Sequence, residues 1–553
     1  MDYSELVNLY EALEKTSKRL EKTEILSNFL KKVDKNDFEF VMYLLQGRVF
    51  PSWDERKIGM SSRIMLKVIA RASGVDSDKV EDEWRKIGDL GMVSEELIRN
   101  KKQRTLHFLK LKVEKVFENI RKLAELEGKG TVDKKINLIA ELLSNATPLE
   151  AKYITRTILE TLRIGVADGV IRDAIAKAFD KDVKEVQRAF DASNDFSKVV
   201  LAIKEKTLGR IKIQVGIPIK VMLALKEETI EDAFERTGRP AEIEHKIDGF
   251  RLQVHKSKNE IKLFTRRLEN VTERFNDVVE FVKRNVKGSE FILDCEAVGY
   301  DPKTKKYVPF QNISQRIKRK YSIEKMMSEV PVELNVFDVI YYNGENFINE
   351  PFKKRRELIK KIIKNEKFKI KIVEGIITDD NEEAEKFYNN SLEKGMEGVM
   401  FKTLDAPYKP GARVGYMIKL KGEADTLDLV ITGATWGEGK RANWLSSFEL
   451  SCKAGDKFLA IGKVGTGVKE KNEGVTFEEL TRILKPLIME EKGKEVVIKP
   501  KIVVEVAYQE IQKSPSYSSG YALRFPRVII LRYDKGANDA DSLIRVRNLY
   551  KKQ

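Results

Sequence analysis

Read by the spacing of its apolar positions, the chain changes period twice. Up to about residue 210 they recur at helical intervals: Leu6, Tyr10 and Leu13, then Ile25, Leu26, Phe29, Leu30 and Val33. Thr147-Pro148-Leu149-Glu150 carries three agreeing helix-start signals. A capping threonine precedes a proline suited to the first helical position, and a glutamate three residues on can close a capping box. A further helix is expected after Asp168, with Val170, Ile171, Ala174, Ile175, Ala178 and Phe179 on one stripe. Beyond Gly216 the pattern alternates, from Ile243 to Val254, and short β-branched and aromatic runs such as FILDCEAVGY and ELNVFDVIYYNG follow. Helical stretches from Pro351 to Ile363 and from Glu382 to Lys394 interrupt these strands, which makes the middle region α+β. Past about residue 422, strands and glycine turns return, with one helix opened by a second capping box from Thr476 to Glu479. Strands with a single helix in that length suit a small β-barrel.

The expected organisation is therefore a helical region over 1–212, an α+β domain over 213–421 and a barrel over 422–553. At 553 residues the chain is too long for one core. Charged residues make up 34% of it, and the formal charge is +16, a surplus that favours polyanionic partners. Cys295 and Cys452 make no disulfide framework, and His107, His245 and His255 have no zinc-ligand spacing. The charged N-terminal stretch does not read as a signal peptide, and no apolar run reaches membrane-helix length, so a cytoplasmic setting is expected.

Candidate chemistry concentrates in the middle region. In EHKIDGFR, strand alternation puts Glu244, Lys246 and Asp248 on one face and Ile243, His245 and Ile247 on the other. His245 is expected to be a packed histidine, and Gly249 to let the backbone approach a ligand. An exposed, salt-bridged strand edge is the competing reading of this stretch alone. Asp294 and Glu296 share a face and could bind a hard divalent cation; Glu397 adds a carboxylate, and Lys419 and Lys421 share a face two residues apart. Each alone is most often a solvated charge, but together they supply what phosphoryl chemistry requires. GKVGTGV looks like a phosphate loop but lacks the strand–glycines–helix order, so a turn is the better reading.

The series KIDGFR, FTRRLENVT, LDCEAVGYD, VFDVIYYNG, EGVMFK, YMIKLK and RYDK resembles the ordered motifs of covalent nucleotidyltransferases, most closely the archaeal and eukaryotic-type ATP-dependent DNA ligases. The segment TPLEAKYITRTILETLRIGVADGVIRDAI resembles their helical DNA-binding domain, and GKRANW with GKVGTG their OB-fold domain, so the likeness spans essentially the whole chain. It implies an all-α DNA-binding domain, an α+β adenylation domain and a C-terminal OB-fold β-barrel. It also implies nick sealing in replication, repair and recombination, with ATP as co-substrate, Mg²⁺ or Mn²⁺ as metal, nicked duplex DNA as partner and a monomeric state.

Carried over position by position, Lys246 would be the nucleophile that becomes adenylated, as a neutral amine disfavoured as a cation by Lys419, Lys421 and desolvation under adenine. Glu244 would help hold the adenine and Phe337 would stack on it, although a core phenylalanine is the residue-level reading of Phe337. Arg251 and Arg266 would hold the ribose and the 5′-phosphate of the nick; Glu296 and Glu397 would position the metal; Arg413, Lys419 and Lys421 would neutralise the α-phosphate. By simple alternation Lys402 falls on the opposite face from Glu397. Arg532, Asp534 and Lys535 would orient pyrophosphate. Gln103, Leu106 and Phe108 resemble a compressed sliding-clamp motif, with a plain helix or loop as the alternative. RNA ligases and mRNA guanylyltransferases share the lysine motif, but the helical region resembling a ligase DNA-binding domain speaks against both. A non-catalytic, basic nucleic-acid-binding protein is the contrasting class.

Overall fold

The computed structural model describes residues 1–101, 110–128, 130–308, 313, 316, 327–422, 425–438, 441, 443–470 and 474–552. Gln103, Leu106 and Phe108 lie outside them. Among the described residues, helices follow one another from Tyr3–Lys15 to Phe196–Lys204, in keeping with the periodicity. The helix Tyr3–Lys15 buries Leu6, Tyr10 and Leu13, and Pro148–Ile158 begins at its proline. The capping box there is complete: Thr147 N–H donates to the Glu150 carboxylate at 2.8 Å, and Glu150 N–H donates to Thr147 Oγ1 at 3.3 Å. Asp168–Ala178 buries Val170, Ile171, Ala174 and Ile175.

The described residues gather into two compact units. One comprises 1–60, 109–135 and 156–422; the other comprises 61–108, 136–155 and 423–553. The division after Gly422 falls where the apolar pattern changes, whereas the helical region contributes to both units.

The first unit carries two sheets. The strands in chain order are β1 (Leu223–Lys226), β2 (Ala241–Lys246), β3 (Phe250–Ser257), β4 (Glu260–Thr265), β5 (Glu290–Gly299), β6 (Val332–Tyr342), β7 (Glu345–Asn346), β8 (Ile370–Ile372), β9 (Gly375–Thr378), β10 (Gly398–Thr403) and β11 (Arg413–Lys421). The first sheet runs β1-β11-β10-β2-β9; the second runs β4-β3-β5-β6-β7, with β8 beside β6. The strand expected to run on from Ile243 to Val254 is thus two strands in two sheets. β2 ends at Lys246, and Ile247-Asp248-Gly249 carries the chain across, so Asp248 lies in the crossing and does not extend the Glu244–Lys246 face. Gly249 is needed for a close approach to protein: a Cβ there would lie 2.3 Å from the carbonyl oxygen of Ala297.

Each sheet buries its own apolar face. Val254, Leu263, Leu293, Val336 and Ile359 centre one core, and Phe234, Ile243, Val399, Phe401 and Ile418 the other. A third cluster, including Ile219, Met222, Ile292, Ile340, Tyr408 and Met417, draws on strands of both sheets and ties them together. Helices Phe352–Ile362 and Asn381–Glu393 match the expected ones to within a residue.

In the second unit, β12 (Thr426–Trp436), β13 (Leu445–Ala454), β14 (Lys457–Val464), β15 (Ile488–Lys492), β16 (Glu495–Ile498), β17 (Val503–Ala507) and β20 (Arg527–Leu531) form an antiparallel sheet. β18 (Glu510–Lys513) and β19 (Tyr521–Arg524) pair separately. Half of the second expected capping box forms: Glu479 N–H donates to Thr476 Oγ1 at 3.1 Å, while the Glu479 carboxylate accepts from the Tyr533 hydroxyl. A C-terminal helix, Leu543–Lys552, adds to the single helix expected here. No described helix is long and apolar enough to cross a membrane.

Candidate active site

The site grows from the register of β2, β10 and β11. Lys246 lies opposite Gly398, which lies opposite Lys421; one row on, Glu244 faces Met400, which faces Lys419. Gly398 stands between the two lysines and lets β10 approach β11 closely. Its φ of +136° and a would-be Cβ 2.1 Å from the Leu420 carbonyl oxygen admit only glycine. Glu397 stands just before β10, with its N–H donating to the Lys246 carbonyl at 2.9 Å. Lys246 Nζ donates to the Glu397 carboxylate, and Lys421 Nζ lies 3.2 Å from it.

This corrects the face assigned to Lys402. Glu397 precedes the strand, and Gly398, at φ +136°, resets the alternation there. Met400 and Lys402 then share the Glu244–Lys246 face, and Lys402 Nζ reaches Glu244 Oε2 at 2.5 Å.

The second sheet brings the remaining groups. Arg251 on β3 lies directly opposite Glu296 on β5 and forks onto Asp294, with Nε–Oδ1 at 2.8 Å and Nη2–Oδ2 at 2.5 Å. The Tyr408 hydroxyl donates to Asp294 at 2.7 Å and accepts from Met222 N–H. Asp294 is therefore held by an arginine and a tyrosine. Phe337 on β6 is half-buried at the edge of a small apolar cluster, with Arg251 and Lys402 5.1 and 4.8 Å from its ring centre. That ring borders the polar cluster, unlike an ordinary core phenylalanine.

The electrostatics follow from this crowding. Burial pushes the Glu296 carboxyl up to about 8, against the pull of Lys246 and Arg251. Burial also acts on Glu397, but Lys246 and then Lys421 outweigh it and bring its carboxyl down to about 2. Desolvation, followed by Lys421, Lys246 and Arg413, lowers the Lys419 ammonium. The sequence missed Tyr408, Arg356 and Glu242. Two carboxylates on one buried strand face, Glu242 and Glu244, were the available signal, since such groups require cations. His245 is packed as expected, stacked on Phe387 with Nδ1 3.0 Å from Ser391 Oγ.

Arg413 is exposed at the start of β11. Arg266 is exposed just after β4 and is not brought into the cluster. Arg532, Asp534 and Lys535 belong to the other unit. There Arg532 pairs with Asp534 and with Asp428 at 3.0 Å, and Lys535 reaches Asp428 at 2.5 Å.

No three His, Cys, Asp or Glu side chains gather as a metal cage among the described residues. The pair Glu296 and Glu397 nevertheless fits a hard cation of the Mg²⁺ kind. Such an ion commonly takes one or two carboxylates and completes its shell with phosphate oxygens and water. Glu296 has no hydrogen bond from a described residue, so its oxygens remain available.

Three family models match in order: "DNA ligase N terminus" over residues 2–176, "ATP dependent DNA ligase domain" over 221–421 and "ATP dependent DNA ligase C terminal region" over 441–535. A DNA ligase of Nanoarchaeum equitans is 49% identical across 100% of this chain and 99% of its own length. One from Archaeoglobus fulgidus is 44% identical over 100% and 99%. The solved structure "Pmar-Lig_PreS3", at 16% identity, matches the fold with a TM-score of 0.60 over 95% of this chain and 99% of that one.

Proposed function

Since the chain belongs to the ATP-dependent DNA ligase family, we propose that it seals nicks in duplex DNA through a lysine–AMP intermediate formed on Lys246. The observation that carries this reading is the row Lys246, Gly398, Lys421 beside Glu397, in which both lysines reach one carboxylate.

The reaction has three steps. The Lys246 amine attacks the α-phosphorus of ATP, forming a P–N bond as the bond to pyrophosphate breaks. The ammonium must first give up one proton, because the lone pair that bonds to phosphorus cannot also hold it; the neutral amine can still donate an N–H to Glu397. AMP then passes to the 5′-phosphate of the nick, and the P–N bond breaks as a pyrophosphate linkage forms. Finally the 3′-hydroxyl attacks that 5′-phosphate, sealing the strand and releasing AMP.

Lys419, Lys421 and Arg413 stabilise the negative charge that gathers on the α-phosphate as it becomes five-coordinate. Arg251, held by Asp294, Tyr408 and the Met222 carbonyl, serves the ribose from this fixed position. Phe337 provides an aromatic face for the adenine, beside Glu244. Glu296 and Glu397 would hold the metal ion, which when bound neutralises phosphate charge. Arg266 serves the 5′-phosphate from outside the cluster, and Arg532, Asp534 and Lys535 serve pyrophosphate.

In this reading 1–212 is the DNA-binding domain, 213–421 the adenylation domain and 422–553 the OB-fold domain. The +16 charge suits phosphate contacts made without regard to sequence. We extend the proposal to a monomeric enzyme that works on cytoplasmic, nucleoid-associated DNA, and to Gln103, Leu106 and Phe108 as a sliding-clamp contact.

A labelled duplex with one 5′-phosphorylated nick, incubated with ATP and Mg²⁺, should be converted to the continuous strand, with no product for Lys246→Ala. Sealing confined to nicked RNA, or transfer of GMP to an RNA 5′-end, would replace the proposal with one of the sister activities.

A further inference from the structure

The helix Phe352–Ile362 carries two consecutive arginines that serve different partners. Arg355 is fully committed to the fold: its guanidinium forks onto Asp338 at 2.7 and 3.0 Å and donates to the Ala406 carbonyl at 3.0 Å. Arg356 points instead at the site. Its Nε lies 2.7 Å from Glu242 Oε1 and its Nη1 3.2 Å from Glu244 Oε1, while Nη2 donates to the Val373 carbonyl. On the other side of Glu244 stands Lys402, 2.5 Å from Oε2 and 3.4 Å from the Phe337 carbonyl.

All four charged side chains are at least nine-tenths buried. Such a cluster is a poor investment in stability, since well-packed apolar side chains commonly serve as well or better. Nor does the helix depend on it for anchorage, because Arg355 provides that. What the cluster does is fix one carboxylate. Glu244 is gripped from both sides, yet its buried Oε1 accepts no well-formed hydrogen bond, since the Arg356 contact is close but misaligned. An aligned donor on a ligand would find an acceptor there, and Lys402 beside it keeps an N–H to give.

We propose that Arg356 is the positioning residue for the nucleobase: it holds Glu244 so that its oxygen and the Lys402 ammonium present an acceptor and a donor side by side. That pair suits the amino group and adjacent ring nitrogen of adenine. Guanine would turn its carbonyl oxygen toward the carboxylate oxygen and its ring N–H toward the ammonium, two mismatches in one edge. The inference rests on Glu244 meeting the base, as proposed above.

The test uses the full chain with Arg356→Lys and Arg356→Met, measuring adenylation of Lys246 from α-labelled ATP and from α-labelled GTP. Both variants should raise the KM for ATP by roughly tenfold or more while changing the saturated rate less, and both should narrow the preference for ATP over GTP. Should Arg356→Met fail to fold, Arg356→Lys retains the buried charge and carries the test. A purely structural arginine would lower the melting temperature or the fraction of active protein but leave KM and the ATP-to-GTP ratio as in the wild type; that result overturns the inference. Absence of label on the wild-type protein would instead overturn the underlying reading of the site.

Discussion

Lys246 and Glu397 show how single positions gain meaning from their neighbours. A lone lysine on a strand is ordinary; here it shares a carboxylate with Lys421 and lies within the field of Glu296. Glu296 has the clearest pH signature. Its carboxyl titrates near 4.5 when unfolded and about 8 when folded, so between those values the folded protein holds a proton that the unfolded chain has lost. Stability from this group is thus fully present below pH 4.5 and is lost as pH rises toward 8. Glu296→Gln removes the ionisation, so without added metal its melting temperature should gain on that of the wild type from pH 5 to pH 8. A gap that stays constant over that range would show that burial does not raise this carboxyl.

At the scale of elements, the glycines are the most demanding positions. Gly398→Ala should destabilise the fold by roughly 2–5 kcal/mol, combining left-hand backbone strain with a clash against the Leu420 carbonyl. Gly395→Ala, where φ is +75° but no atom lies within 4 Å, should lose only about 1 kcal/mol. Equal losses in denaturant melts would mean that the close approach at Gly398 is not what fixes it. The same elements show what the sequence made legible. Apolar periodicity located helices such as Tyr3–Lys15, Asp168–Ala178 and Phe352–Ile362 and strands such as β5, β6 and β12, and the motif residues of β2, β5, β10 and β11 proved to be neighbours. What escaped were breaks in period. The step between sheets at Ile247–Gly249 and the reset at Gly398 each turn a residue to a face that simple alternation denies it. Arg356 and Tyr408 escaped because they enter the site from distant segments and carry no local signal of the partner they meet.

At the scale of the whole molecule, the apolar pattern gave no hint that parts of the helical region group with the C-terminal strands. Contacts between segments far apart in sequence decide that grouping, and periodicity reports only local structure. The surplus of 103 basic over 87 acidic side chains suits a protein that grips phosphates along a duplex, but charge alone describes many nucleic-acid binders. Covalent chemistry separates this chain from them. The most direct measurement is the mass of the intact protein after exposure to ATP and Mg²⁺, followed by peptide mapping and a chase with nicked DNA. The account predicts a gain of one AMP, located on Lys246, absent from Lys246→Ala and discharged by the nick. A protein that gains no AMP, or gains it equally well without Lys246, would contradict it.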